Sequence, residues 1–301
     1  MLVNNMQTPY LQKLVIIGVG LIGGSFALAL RNAGLVKQIV GLGRSQENML
    51  RARELGIIDE ITNTPVAALA GADFVMLSTP VGQIHRVMAQ IEPYLEKQTI
   101  VSDVGSTKQN VIDAAYSQLA NHLDRFIPAH PIAGTEFRGA EAADPTLFNN
   151  KNLIITPLKE NNGQAINLVR ALWQSCGAKV SIMSAAQHDQ ILAIVSHLPH
   201  MLAFTLMNHV QTCADFDPNY VLSYAGSSLR DCTRIVASSP EMWRDICLAN
   251  RVQLLAELET YQKSLTELRE QLANQNGEAL LNLFKSASDL KLQWSSNRDG
   301  G

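Results

Sequence analysis

Excess basic charge, paired cysteines and long uninterrupted apolar runs are all missing from this 301-residue chain. Lysine and arginine number 24 against 27 aspartates and glutamates, a net charge of −3, with an isoelectric point near 6.2. No general positive field is offered to nucleic acid or to an anionic membrane. Cys176, Cys213, Cys232 and Cys247 are scattered, with no Cys-x-x-Cys pair. That fits reduced thiols in the cytoplasm rather than a disulfide or zinc framework. The opening residues MLVNNMQTPYLQK lack a basic start followed by an apolar run, so no secretory signal is expected. Residues 14–30 carry no charge, but glycines interrupt them, and strand, turn and helix fit better than a membrane span. Repeats and low-complexity tracts are also absent.

What is present suits a folded enzyme. At 47% hydrophobic and 17% charged, the chain can bury a substantial core and divide into two domains. Apolar runs at 14–17, 38–42, 73–78, 99–103, 126–129, 152–156 and 179–183 alternate with helical patterns near 83–94, 106–120 and 164–176. This is how a parallel sheet with crossover helices is written. At Ser184 and Gln187, a Ser-x-x-Gln capping box, the pattern turns helical and stays so. The expectation is an α/β chain, with a Rossmann-like dinucleotide-binding domain over 1–184 and an all-helical domain over 185–301. In the latter, Leu254, Leu258, Tyr261, Leu265, Leu268 and Leu272 step by four and three along one helix face, to be covered by its own chain or by a second copy; the limited internal surface of so small a helical domain favours the second copy. Asn274, Asn276 and Gly277 are expected to stop that helix. Leu280, Leu283, Phe284, Ala287 and Trp294 form a last amphipathic segment before a disordered SSNRDGG tail.

The run LVIIGVGLIGGSFALAL (14–30) ends a strand in Gly18, Gly20 and Gly23, with Leu21 and Ile22 between them. Gly18 makes the turn, Gly20 lets backbone amides approach a pyrophosphate, and Gly23 lets the new helix pack against the strand. An ordinary tight turn is the bland alternative, weakened by the second strand arriving on schedule. At that strand's end an NAD-binding fold carries an acidic residue, but here Gly43, Arg44 and Ser45 stand instead. A cation and a hydroxyl with no carboxylate suit the 2′-phosphate of NADP, with NAD also possible; the plainer alternative makes Arg44 a solvated loop residue. Thr79 and Pro80, following the third long apolar run, complete the expected cofactor contacts.

Chemistry is expected beyond the carboxyl ends of the strands, where DVGSTK (103–108) and HPIAGTE (130–136) fall. Ser106 either joins Gln109 in a second capping box, serves the site, or does both. His130, at a strand end before Pro131 and Gly134, can take a hydroxyl proton as hydride leaves the same carbon. His197 and His200 lack a third ligand, so no metal is expected. Pro199 between them should kink the helix and turn nearby side chains toward the cleft.

The glycine turn, DVGSTK, HPIAGTE, SHLPH (196–200) and DCTRIVASSPEMWRDICLAN (231–250) together resemble the prephenate and arogenate dehydrogenases of tyrosine biosynthesis, in order over nearly the whole chain. The resemblance implies an NAD(P)-dependent oxidative decarboxylation with His130 as base and Ser106 bonded to the substrate hydroxyl. It also implies that Arg234 pairs with a substrate carboxylate, which a guanidinium grips better than lysine. His200, Thr135, Glu136 and Trp243 are implied to line the same pocket, with His197 behind it; the plainer alternative makes Trp243 a core tryptophan.

The implied form is a cytoplasmic homodimer without a chorismate mutase domain or a C-terminal regulatory module, so that tyrosine would inhibit only by competing at the site. Prephenate and arogenate are not distinguished. A β-hydroxyacid or 6-phosphogluconate-type dehydrogenase would need a catalytic lysine in the helical half, and none lies between Lys179 and Lys263. A non-catalytic NADP-sensing module would leave His130, Ser106 and Arg234 unexplained.

Overall fold

The structure is a computed structural model that describes residues 10–135, 137–212 and 216–299. The chain divides into two compact units, Met1–Arg251 and Val252–Gly301.

The first unit opens with β1 (Leu11–Ile17), α1 (Leu21–Asn32), β2 (Val36–Leu42), α2 (Gln46–Glu54), β3 (Glu60–Thr62) and α3 (Pro65–Leu69). It continues through β4 (Phe74–Leu77), α4 (Val81–Ile91), β5 (Ile100–Asp103), α5 (Gln109–Gln118) and β6 (Phe126–Ile127). These strands form one sheet in the order β3-β2-β1-β4-β5-β6, every pair parallel. Strand alternation divides its side chains: Leu14 and Ile16 join a core with Phe26 and Trp173, while Val15 and Ile17 join another with Ile84, Met88 and Val111. Both faces are buried, as parallel strands require. α2, α3 and β3 escape the sequence pattern because they are short; α2 buries only Met49 and Ala52.

A single strand over 126–129 is not formed. Pro128 has no amide hydrogen to give to a ladder, and the chain changes sheets there. β7 (Ala129–Pro131), β8 (Asn152–Ile155), α6 (Gly163–Ser175) and β9 (Lys179–Ile182) build a second sheet, with β7 antiparallel to β8 and β9 parallel to it. The expected single parallel sheet is thus two, and His130, opposite Ile154, lies within the antiparallel strand.

From Ser184 the unit is helical: α7 (Ala185–Leu192), a π-helical turn over Ala193–His197, α8 (Leu198–Gln211), α9 (Pro218–Ser223), α10 (Ser227–Thr233), a 3₁₀ turn over Arg234–Ala237, and α11 (Pro240–Ala249). Ser184 Oγ accepts the Gln187 amide at 3.2 Å, the expected cap. Pro199 cannot bond back to the Val195 carbonyl, and the helix widens into its π turn immediately before it. The run Ala185–Gln211 is long and apolar enough to cross a membrane by length and composition. Its buried His188, Asp189 and His197, however, bond to the sheet-bearing part of the same unit or to α11's end.

α12 (Arg251–Ala273) begins at the unit boundary, and α13 (Gly277–Asp299) follows it. Gly277 does not stop α12 but opens α13; the reversal uses Gln275 at φ +50°, and Asn276 Oδ1 caps α13 through the Ala279 amide at 3.1 Å. Residues 295–299, expected to be disordered, continue α13, and Gly300 and Gly301 lie outside the described residues. Leu254 is buried, but Leu265 and Leu272 of its stripe are 47% and 58% exposed.

Candidate active site

The nucleotide cradle follows from the glycines. Gly18 takes φ +96°, and a Cβ there would sit 2.8 Å from the Ser78 carbonyl oxygen, so only glycine fits. A Cβ on Gly23 would lie 2.8 Å from the Gly18 carbonyl oxygen, which keeps α1 tight against β1. Gly20 meets nothing within 4 Å and, as N-cap of α1, gives its first amides no side-chain partner. An open cradle under bare helix amides fits a pyrophosphate. Thr79 adds a buried hydroxyl with no hydrogen-bond partner, beside Gly18. Pro80 is the N-cap of α4. Arg44 is exposed and donates to Gln83 Oε1 at 3.0 Å, while Ser45 Oγ caps α2 by accepting the Asn48 amide at 3.3 Å, leaving its own proton to give.

Beyond the strand ends lies a buried polar cluster around His130, which is 9% exposed. His130 Nδ1 meets His188 Nε2 at 2.8 Å, and His188 Nδ1 meets Asp189 Oδ1 at 2.8 Å. A carboxylate only accepts, so His188 donates from Nδ1 and accepts at Nε2. His130 then donates from Nδ1, which leaves its Nε2 as a lone-pair acceptor. Burial, with His188, Lys108 and His197 nearby, holds His130 well below the usual histidine range, so the ring is neutral at neutral pH.

Asp103 and Lys108, both fully buried, pair at 2.5 Å. Asp103 Oδ1 accepts the Ala129 amide at 3.2 Å, and Lys108 Nζ donates to the Ala129 carbonyl at 2.9 Å. The ion pair thereby holds both polar groups of the residue before His130. Burial pulls the Lys108 ammonium below its ordinary value against the opposing pull of Asp103.

The expected Ser106–Gln109 capping box is not formed. α5 begins one turn later than the sequence suggests, and its cap comes from another helix: Asp189 Oδ1 accepts the Lys108 amide at 2.8 Å and Oδ2 the Gln109 amide at 2.9 Å. Ser106, half-buried, is thus freed of capping, and its backbone lies near enough to His197 to favour the protonated ring against burial. Asn250 Nδ2 donates to His197 Nδ1 at 3.0 Å and to the Asp189 carbonyl at 2.8 Å. Burial pulls His197 down to about 4.

His200 stacks on Trp243 with ring centroids 3.6 Å apart, and the Trp243 indole N–H is buried without a partner. Arg234, exposed at the end of α10, is near enough to His200 to help burial lower its pKa. Ring contacts and mutual charge effects thus link His130, His197, His200, Trp243, Ser106 and Arg234 into one neighbourhood. Thr135 is exposed on the following loop, where its Oγ1 accepts the Phe137 amide at 3.2 Å. Glu136 lies outside the described residues. No cluster able to hold a metal is found among the described residues. His188, Asp189, Lys108, Asp103 and Asn250 were not expected in these roles. Asp103 and Lys108 bound the DVGSTK motif and Asn250 closes the 231–250 motif, while for His188 and Asp189 the His-Asp adjacency just past the change to helix was the one hint.

Parallel strands in the order 3-2-1-4-5-6 with a glycine turn beneath a bare helix end define a Rossmann-type dinucleotide-binding protein, here with a helical half following. Residues 26–182 match the prephenate dehydrogenase nucleotide-binding domain, and residues 184–286 the prephenate dehydrogenase dimerization domain. A cyclohexadienyl dehydrogenase of Zymomonas mobilis is 36% identical over 96% of this chain and 98% of its own length. A prephenate dehydrogenase of Aquifex aeolicus, solved with hydroxyphenyl propionate and NAD+, superposes with a TM-score of 0.87 at 35% identity, over 94% of this chain and 98% of that one. Arogenate dehydrogenase of Synechocystis does so with 0.79 at 28% identity, over 94% of this chain and all of that one. The chain belongs to the prephenate dehydrogenase family and is a dehydrogenase of the prephenate/arogenate type.

Proposed function

We propose that this protein oxidatively decarboxylates prephenate, arogenate or both in tyrosine biosynthesis, with His130 as the base. The observation that carries this reading is the neutral His130 ring with Nδ1 engaged by His188 and Nε2 left to accept a proton. Both substrates are cyclohexadienols with a carboxylate on the ring carbon opposite the hydroxyl. His130 Nε2 takes the hydroxyl proton as the carbinol carbon gives up hydride, and carbon dioxide departs as the ring becomes aromatic. Ser106 donates to the same oxygen. Arg234 grips a substrate carboxylate, and His200, Trp243 and Thr135 line the rest of the pocket, where the family resemblance alone adds Glu136.

A bound nicotinamide cofactor supplies the hydride acceptor. Gly18, Gly20, Leu21, Ile22 and Gly23 would hold its pyrophosphate, and Thr79 and Pro80 its inner side. NADP is preferred because Gly43 stands where a ribose-binding carboxylate would repel the 2′-phosphate, and Arg44 and Ser45 follow it. The working division is 1–184 for cofactor and 185–301 for substrate and dimerisation. The exposed leucines of α12 support a homodimer, and the scattered, unpaired cysteine pattern of the sequence supports a cytoplasmic setting.

Steady-state assays of the purified protein with prephenate and arogenate, each with NAD and NADP, test this reading. Turnover with at least one substrate and a higher kcat/KM with NADP are expected; no turnover with either would overturn the activity, and strong NAD preference the cofactor reading.

A further inference from the structure

We propose that His188 and Asp189 form a positioning dyad for His130, fixing which of its nitrogens carries a proton and offsetting the positive charge it gains in turnover. This rests on the reading of His130 as the base.

Asp189 is held on every side. Its Oδ1 accepts the Lys108 amide and the His188 ring, its Oδ2 the Gln109 amide, and its carbonyl the Asn250 amide group. A carboxylate so supplied with donors stays ionised, and its pKa is lowered despite burial. It cannot turn without uncapping α5, so His188 is locked with Nδ1 toward Asp189 and Nε2 toward His130. Without that acceptor, His130 could place its proton on either nitrogen, and half of its orientations would have no lone pair for the substrate. The charged and titratable groups around it are Lys108 and Asp103 from the α5 side, and His188, Asp189 and His197 from the helical side. His188, Lys108 and His197 oppose a cation on His130; within the dyad the ionised Asp189 carboxylate, one hydrogen bond further on, is what offsets them.

In the step, the substrate O–H bond breaks and an N–H bond forms at His130 Nε2. Nδ1 keeps its proton, which strengthens its bond to His188, and Asp189 remains a carboxylate. No second proton moves.

A double-mutant cycle on the full chain, with His188→Gln and His130→Asn, tests the dyad. His188→Gln should lower kcat by roughly 10- to 100-fold, with KM and NADP dissociation constant changed by less than about threefold. Added to His130→Asn, it should lower kcat by less than about twofold more, because His188 acts only through the base. A kcat for His188→Gln within about threefold of the parent, or an undiminished effect in the His130→Asn background, overturns the dyad and leaves His130 as base. A fully active His130→Asn overturns the base assignment and the dyad together. Should His188→Gln fail to fold, Asp189→Asn in the same cycle reads the same coupling by the same criteria.

Discussion

His130 draws its chemistry from its surroundings more than from its residue type. An imidazole alone titrates near 6.5, inside the working range; buried beside Lys108, His188 and His197, this one titrates well below it. A base must be unprotonated to act, so the acid limb of kcat/KM should fall below pH 6.5, with activity flat through neutrality. An acid limb at or above 6.5 would mean that another group is titrating. Replacing His130 by Asn keeps a polar side chain without the basic nitrogen, and turnover should drop roughly 10²- to 10⁴-fold while NADP binding holds. Gly43 is the other residue on which a choice hangs. Gly43→Asp restores a ribose acceptor, but its Cβ would meet the buried Met49 sulfur at 2.7 Å. Gly43→Ala carries the same crowding without the charge and isolates it. The ratio of kcat/KM for NAD over NADP should rise about tenfold or more in the Asp variant and stay level in the Ala variant.

Among the elements, the glycine turn and the long strands were legible because each announces itself within a dozen residues. The partners of His130 were not, because they meet across 58 positions of chain and no periodicity encodes a tertiary hydrogen bond. Ser106 shows the same limit from the other side. Its spacing to Gln109 was a sound local cap, but a carboxylate from α7 reached the helix first. β7 also depends on a distant pair, since Asp103 and Lys108 hold Ala129 from both its amide and its carbonyl. Lys108→Met keeps the volume and strands the Asp103 charge in the interior, so stability should fall by roughly 3–5 kcal/mol, read by urea denaturation. Asp103→Asn combined with Lys108→Met should recover part of that loss, because no lone charge remains. At the end of α10, Arg234 is exposed and poised near His200. Arg234→Ala should raise the substrate KM by about 30-fold with a smaller change in kcat. Circular dichroism and NADP affinity on the same preparation distinguish a lost grip from a lost fold, and a folded variant with an unchanged KM would defeat the assignment.

At the scale of the molecule, four histidines with lowered pKa values, His130, His188, His197 and His200, make the fold sensitive to acid. Each is lowered mainly by burial, so each binds a proton more readily in the unfolded chain. Between its folded pKa and about 6.5, the unfolded state therefore carries more protons, and stability falls as pH falls through that interval. Above 6.5 neither state is protonated, and the full stability is present. With His197 at about 4, that side chain alone removes roughly 3 kcal/mol by the time the pH reaches its folded value. Asp189 adds to the loss at lower pH, because its pKa is lowered in the fold and its ionised form caps α5. Denaturant midpoints measured from pH 8 to pH 4 should be level down to about pH 7 and then decline steadily, with His197→Asn flattening part of that decline. His130, held well below the usual histidine range, stays unprotonated as the decline begins below pH 7, so activity per folded molecule should outlast stability in that upper part of the interval. A midpoint that stays level down to pH 5 would mean that these rings are solvated or already charged in the folded protein, and the neutral base would then be lost with them.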